Sequence, residues 1–118
     1  MIHTQENYRT ETRKNMRDGS GDVLITHLWD AEKDLKAPNR MVARFTLNEG
    51  CSIGFHRHEN EEEIFYILSG CAEADDDGKK VFLNAGDTIL TGNGAGHAIA
   101  NAGTKPLEIL AVITKYTL

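Results

Sequence analysis

The chain has 118 residues, 40% of them hydrophobic and 26% charged, with a formal net charge of −5. That length suffices for one domain with a real core and no disulfide staples. The acidic balance argues against nucleic acid or an anionic membrane surface as the main partner.

Residues 1–21 are polar, carry charges of both signs and close on Asp18-Gly19-Ser20-Gly21. They read as an N-terminal arm with room for one short strand. The start Met1-Ile2-His3-Thr4-Gln5 lacks the charged-then-apolar pattern of a secretory signal. No apolar run nears the roughly 18 residues of a membrane helix. A soluble, cytoplasmic protein is expected. β-Rich runs follow at 23–29, 41–47, 52–58, 63–68, 71–75, 79–83, 88–91, 97–101 and 107–116. In 41–47, alternation sets Met41, Ala43, Phe45 and Leu47 against Val42, Arg44 and Thr46. Asp30 to Asn39 is a polar connection, and Asp77-Gly78 is a two-residue hairpin signal because glycine accepts positive φ. Many short strands with glycine at the corners, and no convincing helix, predict an all-β sandwich or barrel over residues 22–118.

Within that frame, His56 and His58 are two apart, so on a strand both side chains point to one face. Glu63 opens the run Glu63-Ile64-Phe65-Tyr66-Ile67-Leu68, and His97 sits on a later strand. Three imidazoles and a carboxylate form a four-ligand set for one divalent transition metal: Mn, Fe, Co, Ni, Cu or Zn. Glu61 and Glu62 precede Glu63, and Glu62 is an alternative carboxylate. The phase of the following strand favours Glu63, leaving Glu59-Asn60-Glu61-Glu62 as a solvated loop. Asp75-Asp76-Asp77 lacks the ligand spacing of a calcium loop.

The glycines around these residues carry a resemblance. Gly50, His56-x-His58, Glu63 and Gly70 reproduce the first cupin motif without a gap, and Gly86, Gly94, His97 and Asn101 resemble the second. Gly92 stands where that family usually has proline, which bears on the stiffness of the turn before His97. The chain thus resembles small single-domain cupins. The resemblance implies a jelly-roll barrel (a double-stranded β-helix) with the metal inside, and a homodimer.

Strand parity adds to this. With Glu63 inward, Phe65, Ile67 and Ser69 follow it, and Ile64, Tyr66 and Leu68 face out. Inward His56 and His58 place Ile53 and Phe55 outside. Such an outer face is too apolar for water, so either the arm or a second subunit is expected to cover it. Cys51 and Cys71 read as free thiols. Asn101 reads as structural, His3 and His27 as surface or packing residues, and Trp29 and Phe45 as core or barrel mouth. Arg40 and Arg44 are candidates to meet an anionic ligand.

A centre of this kind would carry a small net positive charge and leave coordination positions for a small polar, anionic or sugar-like molecule. The expectation is a metal-dependent enzyme of isomerase, lyase or dioxygenase type. Its alternative is a non-catalytic module that holds a small ligand through the metal. No catalytic acid or base beyond the ligands is visible in the sequence.

Overall fold

Ten strands, most of them built on alternating apolar residues between turns, make up the computed structural model, which describes residues 1–117. They are β1 (Arg9–Lys14), β2 (Asp22–Trp29), β3 (Asn39–Leu47), β4 (Ser52–Arg57) and β5 (Glu61–Ser69). Then follow β6 (Cys71–Asp76), β7 (Lys79–Asn84), β8 (Thr88–Gly92), β9 (Gly96–Asn101) and β10 (Leu107–Lys115). Each of the nine expected runs coincides with a strand, its ends shifted by no more than two residues. The only helical pieces among the described residues are two three-residue 3-10 turns, Gln5–Asn7 and Met16–Asp18. No helix there is long and apolar enough to cross a membrane.

The strands form two antiparallel sheets, a six-stranded one ordered β1-β2-β3-β10-β5-β8 and a four-stranded one ordered β4-β9-β6-β7. Met41, Ala43, Phe45 and Leu47 face inward as the alternation predicts, with Phe65, Ile67, Ile109 and Ala111 beside them. The small sheet answers with Ile53, Ala72, Ala74 and Ile99. Phe45 and Phe65 meet edge to face, ring centroids 6.0 Å apart. Burying each such side chain contributes about 1.5–3 kcal/mol, so this interior is what holds the two sheets together. The Asp77-Gly78 hairpin closes β6 onto β7 with both residues at positive φ, 49° and 100°. That is the geometry a two-residue hairpin requires.

Two parity expectations fail, each at a break in register. Ser69 is exposed at the end of β5, where the pairing with β10 shifts between Ile109 and Glu108. The other failure lies in β4. Ile53 is buried at 1% exposure, whereas Phe55 is 44% exposed. Along β4 the partners on β9 run Ile53↔Ile99 and then His56↔His97. β4 therefore advances three residues while β9 advances two, which is a β-bulge. The extra residue lets Ile53 and His56, of opposite parity, share the inner face.

The arm adds β1 to the edge of the large sheet by pairing with β2. Glu11 Oε2 accepts from His27 Nε2 at 2.8 Å, and Arg9 and Arg13 also donate to Glu11. These bonds, the one from His27 foremost, lower the Glu11 carboxyl to about 2. His3 stacks on Trp29 at 4.2 Å, so Trp29 belongs to the arm contact and not to the barrel mouth. The arm then crosses to the small sheet, where Ser52 N donates to Ser20 O at 2.8 Å. Gly19 and Gly54 make this crossing possible. A Cβ on Gly54 would fall 1.9 Å from Arg17 O, and one on Gly19 would fall 2.2 Å from Ser52 O. Asn15, Arg17 and Asp18 all adopt left-handed φ values of 49°, 55° and 64°, at a cost of about 1–2 kcal/mol per residue.

Candidate metal centre

His56 and His97 lie opposite each other on β4 and β9 of the small sheet, Glu63 lies on β5 of the large sheet, and His58 immediately follows β4. The two sheets thus close over the four side chains that the spacing singled out. One donor atom from each lies within 4.8 Å of all the others. His58 Nε2 is 2.9 Å from Glu63 Oε1 and 3.1 Å from His97 Nε2. His97 Nε2 is in turn 3.0 Å from Glu63 Oε1 and 3.1 Å from His56 Nε2. His58, Glu63 and His97 are buried, and His56 is half-buried.

The outer nitrogens decide what faces inward. His56 Nδ1 lies 2.8 Å from Gly54 O, the carbonyl at the bulge, and His58 Nδ1 lies 2.6 Å from Glu61 Oε2. A carbonyl or a carboxylate only accepts, so Nδ1 of each ring carries a hydrogen, and whenever the ring is neutral its Nε2 lone pair faces the others. Lone pairs and a carboxylate oxygen about 3 Å apart repel unless a proton or a metal cation stands between them. Adjacent octahedral positions with metal–nitrogen bonds of about 2.1 Å are separated by about 3 Å, so the donor set fits a divalent transition metal.

Protonation tells the same story. Burial first, then the neighbouring His97 and His58, push His56 down to about 4, so it is neutral at pH 7. Burial opposes the charge on Glu63, yet the hydrogen bonds from His58 and His97 hold its carboxyl below the ordinary range. For His58 burial pulls downward, and the bonds to Glu63 and Glu61 outweigh it and raise the value. A metal ion would therefore displace a proton shared between His58 and Glu63.

Glu61 is the residue that the sequence reading missed. It opens β5, its side chain is only 13% exposed, and Arg40 grips it through two bonds of 2.8 Å. That grip, more than the bond from His58, brings its carboxyl down to about 2. The chain Arg40–Glu61–His58 is the carboxylate–histidine support common at metal sites. Its signal was present only as a glutamate three residues after a histidine. Glu62 stands outside the cluster. A Cβ on Gly92 would come within 2.6 Å of Glu62 Cβ, which explains glycine where proline was expected. The turn is stiffened instead by pairing, with His58 N donating to Ala95 O at 3.0 Å and Gly94 N to His58 O at 2.8 Å.

The remaining candidates fall into place. Asn101 is structural: Nδ2 donates to Leu47 O and Lys105 O, and Oδ1 accepts from Gly103 N. Asp75 Oδ1 and Asp77 Oδ1 accept from backbone amides of Gly78 and Gly96, as turn residues do. Cys51 and Cys71 are free. The cavity beside the four residues has a volume of about 20 Å³, room for one or two water-sized groups. Phe45, Met41 and Ile113 form its apolar wall, and Arg13, Arg17 and Arg40 its cationic side. Arg40 therefore reaches the cavity, and Arg44 does not.

Replacing Glu61 with Gln is expected to weaken manganese binding by about 10–100-fold, the usual cost of losing such a support. Glu62→Gln is expected to change it by less than about twofold. Competition against a chromophoric chelator measures both, and equal effects of the two changes would contradict the assignment.

Comparison with known proteins agrees with this geometry. The cupin domain family matches residues 43–113, a span that contains the whole cluster. An oxalate-binding protein of Thermotoga maritima is 42% identical over 113 residues, covering 96% of this chain and 93% of that one. The crystal structure of a predicted oxalate decarboxylase from Thermotoga maritima superposes with a TM-score of 0.91 at 41% identity, covering 98% of this chain and 99% of that one. A polyketide cyclase from Streptomyces resistomycificus shares the fold at 15% identity, with a TM-score of 0.76 over 98% of this chain and 79% of that one. By its strand order, its motif residues and these matches, the chain belongs to the cupin domain family.

Proposed function

We propose that this protein binds a small carboxylate, with oxalate as the leading candidate, through one divalent transition metal held by His56, His58, Glu63 and His97. The observation that carries this reading is the composition of the cavity. Its wall offers metal-ligand donors, arginines and apolar side chains, and no uncommitted acid, base or nucleophile. General acid–base catalysis needs a titratable group within hydrogen-bond reach of the reacting atoms. Binding needs only open coordination positions and a complementary charge. At about 20 Å³ the cavity is smaller than oxalate, so a bound oxalate would extend out of its mouth.

A bound divalent ion would act there as a Lewis acid toward carboxylate oxygens. The protein's own residues do the rest. Glu61 and Gly54 O orient the imidazoles of His58 and His56. Phe65, stacked on His97 at 4.6 Å with an interplanar angle of 9°, fixes the third ring and keeps water from its back. The name of the Thermotoga maritima oxalate-binding protein supports the choice of ligand. Decarboxylation is the second reading, favoured by the description of the similar Thermotoga maritima structure.

The functional unit in this proposal is a homodimer. Ile64, Tyr66, Leu68 and Leu90 are each at least 40% exposed on β5 and β8, at one edge of the large sheet. The arm lies at the opposite edge, which leaves a second subunit as the cover for this apolar patch.

Titration calorimetry of the manganese-loaded protein is expected to show saturable oxalate binding that vanishes in His97→Ala. Formate and carbon dioxide should not accumulate; their steady release would establish the decarboxylase instead. Sedimentation is expected to report a dimer that Tyr66→Glu dissociates.

A further inference from the structure

We infer that Arg17, carried over the cavity by the N-terminal arm, selects doubly charged over singly charged ligands. This rests on the reading of the centre as a metal site for a small carboxylate. A divalent ion and the Glu63 carboxylate leave a single positive charge at the centre. Of the three arginines on the cavity wall, Arg40 is neutralised by Glu61 in a two-bond pair, and Arg13 by Glu11 at 2.7 Å. Arg9, which shares Glu11, also meets Asp30 at 3.7 Å. Arg17 takes part in no ion pair among the described residues. Its neighbour Asp18 faces the groove on the other side of β4, with Ser20, Ser52 and Gly54. The cavity thus presents two uncompensated positive charges, one at the metal and one at Arg17, which matches a dianion.

The backbone carries Arg17 to the cavity wall on a fixed turn. Arg17 sits at φ 55° and ψ 37°, a left-handed conformation that glycine would adopt more easily. Hydrogen bonds on both sides of it fix the turn, Asp18 N to Asn15 O at 3.0 Å and Gly19 N to Met16 O at 3.0 Å. The close seating of Arg17 O on Gly54 ties the turn to the bulge that also orients His56. A side chain kept at a strained position on a cavity wall is where function is to be sought. The guanidinium adds a planar fork suited to carboxylate oxygens.

The test compares two ligands that can chelate alike and differ in charge. Oxalate is a dianion and glycolate a monoanion. On the manganese-loaded protein, Arg17→Gln is expected to weaken oxalate about 10–100-fold, the usual loss for a charged hydrogen bond. Glycolate should change by less than about twofold. Arg17→Lys should recover most of the oxalate affinity. Arg17→Gly relieves the left-handed backbone, so it should keep or raise the thermal midpoint while losing oxalate as Arg17→Gln does. Wild-type binding with an unchanged oxalate affinity in Arg17→Gln would overturn this inference alone, and so would equal losses for both ligands. A loaded wild-type protein that binds neither anion would remove the small-carboxylate reading and this inference with it.

Discussion

Four donor atoms that can stand together only around protons or a metal ion organise this molecule. His56, His58 and His97 turn their Nε2 atoms, and Glu63 its Oε1, toward one point, with four of the six separations near 3 Å. In the folded protein that concentration of lone pairs must be compensated by protons or by a metal ion. The surrounding structure favours the metal by fixing the hydrogens elsewhere. Gly54 O and Glu61 each hold an Nδ1 hydrogen, and Arg40 keeps Glu61 in position. His97 Nδ1 has no hydrogen-bond partner among the described residues, and the ring packs against Phe65. The three rings are thus supported by a carbonyl, a carboxylate and an aromatic face.

The same constraint explains the division of labour between the sheets. His56 and His97 come from the small sheet and Glu63 from the large one. Neither sheet holds the set alone, so filling the centre would couple metal affinity to closure of the core. The bulge in β4 serves both needs, turning Ile53 into the core and His56 into the site within four residues. The arm closes the arrangement from outside. It binds the edge of the large sheet through β1, then crosses to Gly54 and brings Arg17 to the cavity.

Much of this was legible in the sequence because it depends on local pattern. The alternation in Met41–Leu47, the Asp77-Gly78 turn and the His56-x-His58 pair each act over a few residues, and each was found where expected. What escaped depends on a partner far along the chain. The bulge at Gly54 is defined by its pairing with β9, so simple parity put Ile53 on the wrong face. Glu61 looked like a solvated loop residue because its role needs Arg40, 21 residues earlier. Gly92 looked like a loss of stiffness until the approach of Glu62 showed why a side chain does not fit. The arm was read as polar with room for one short strand, which β1 fills, whereas its three left-handed residues carry no strong signature outside the fold.

The most direct test is the metal content of untagged protein purified without chelator, measured by elemental analysis. About one equivalent of a single divalent transition metal per chain is expected, with a thermal midpoint that rises with free metal as binding to the folded state requires. No metal in that sample, and no midpoint shift with manganese, iron, cobalt, nickel, copper or zinc, would contradict the account. The four inward donors would then be balanced by protons alone.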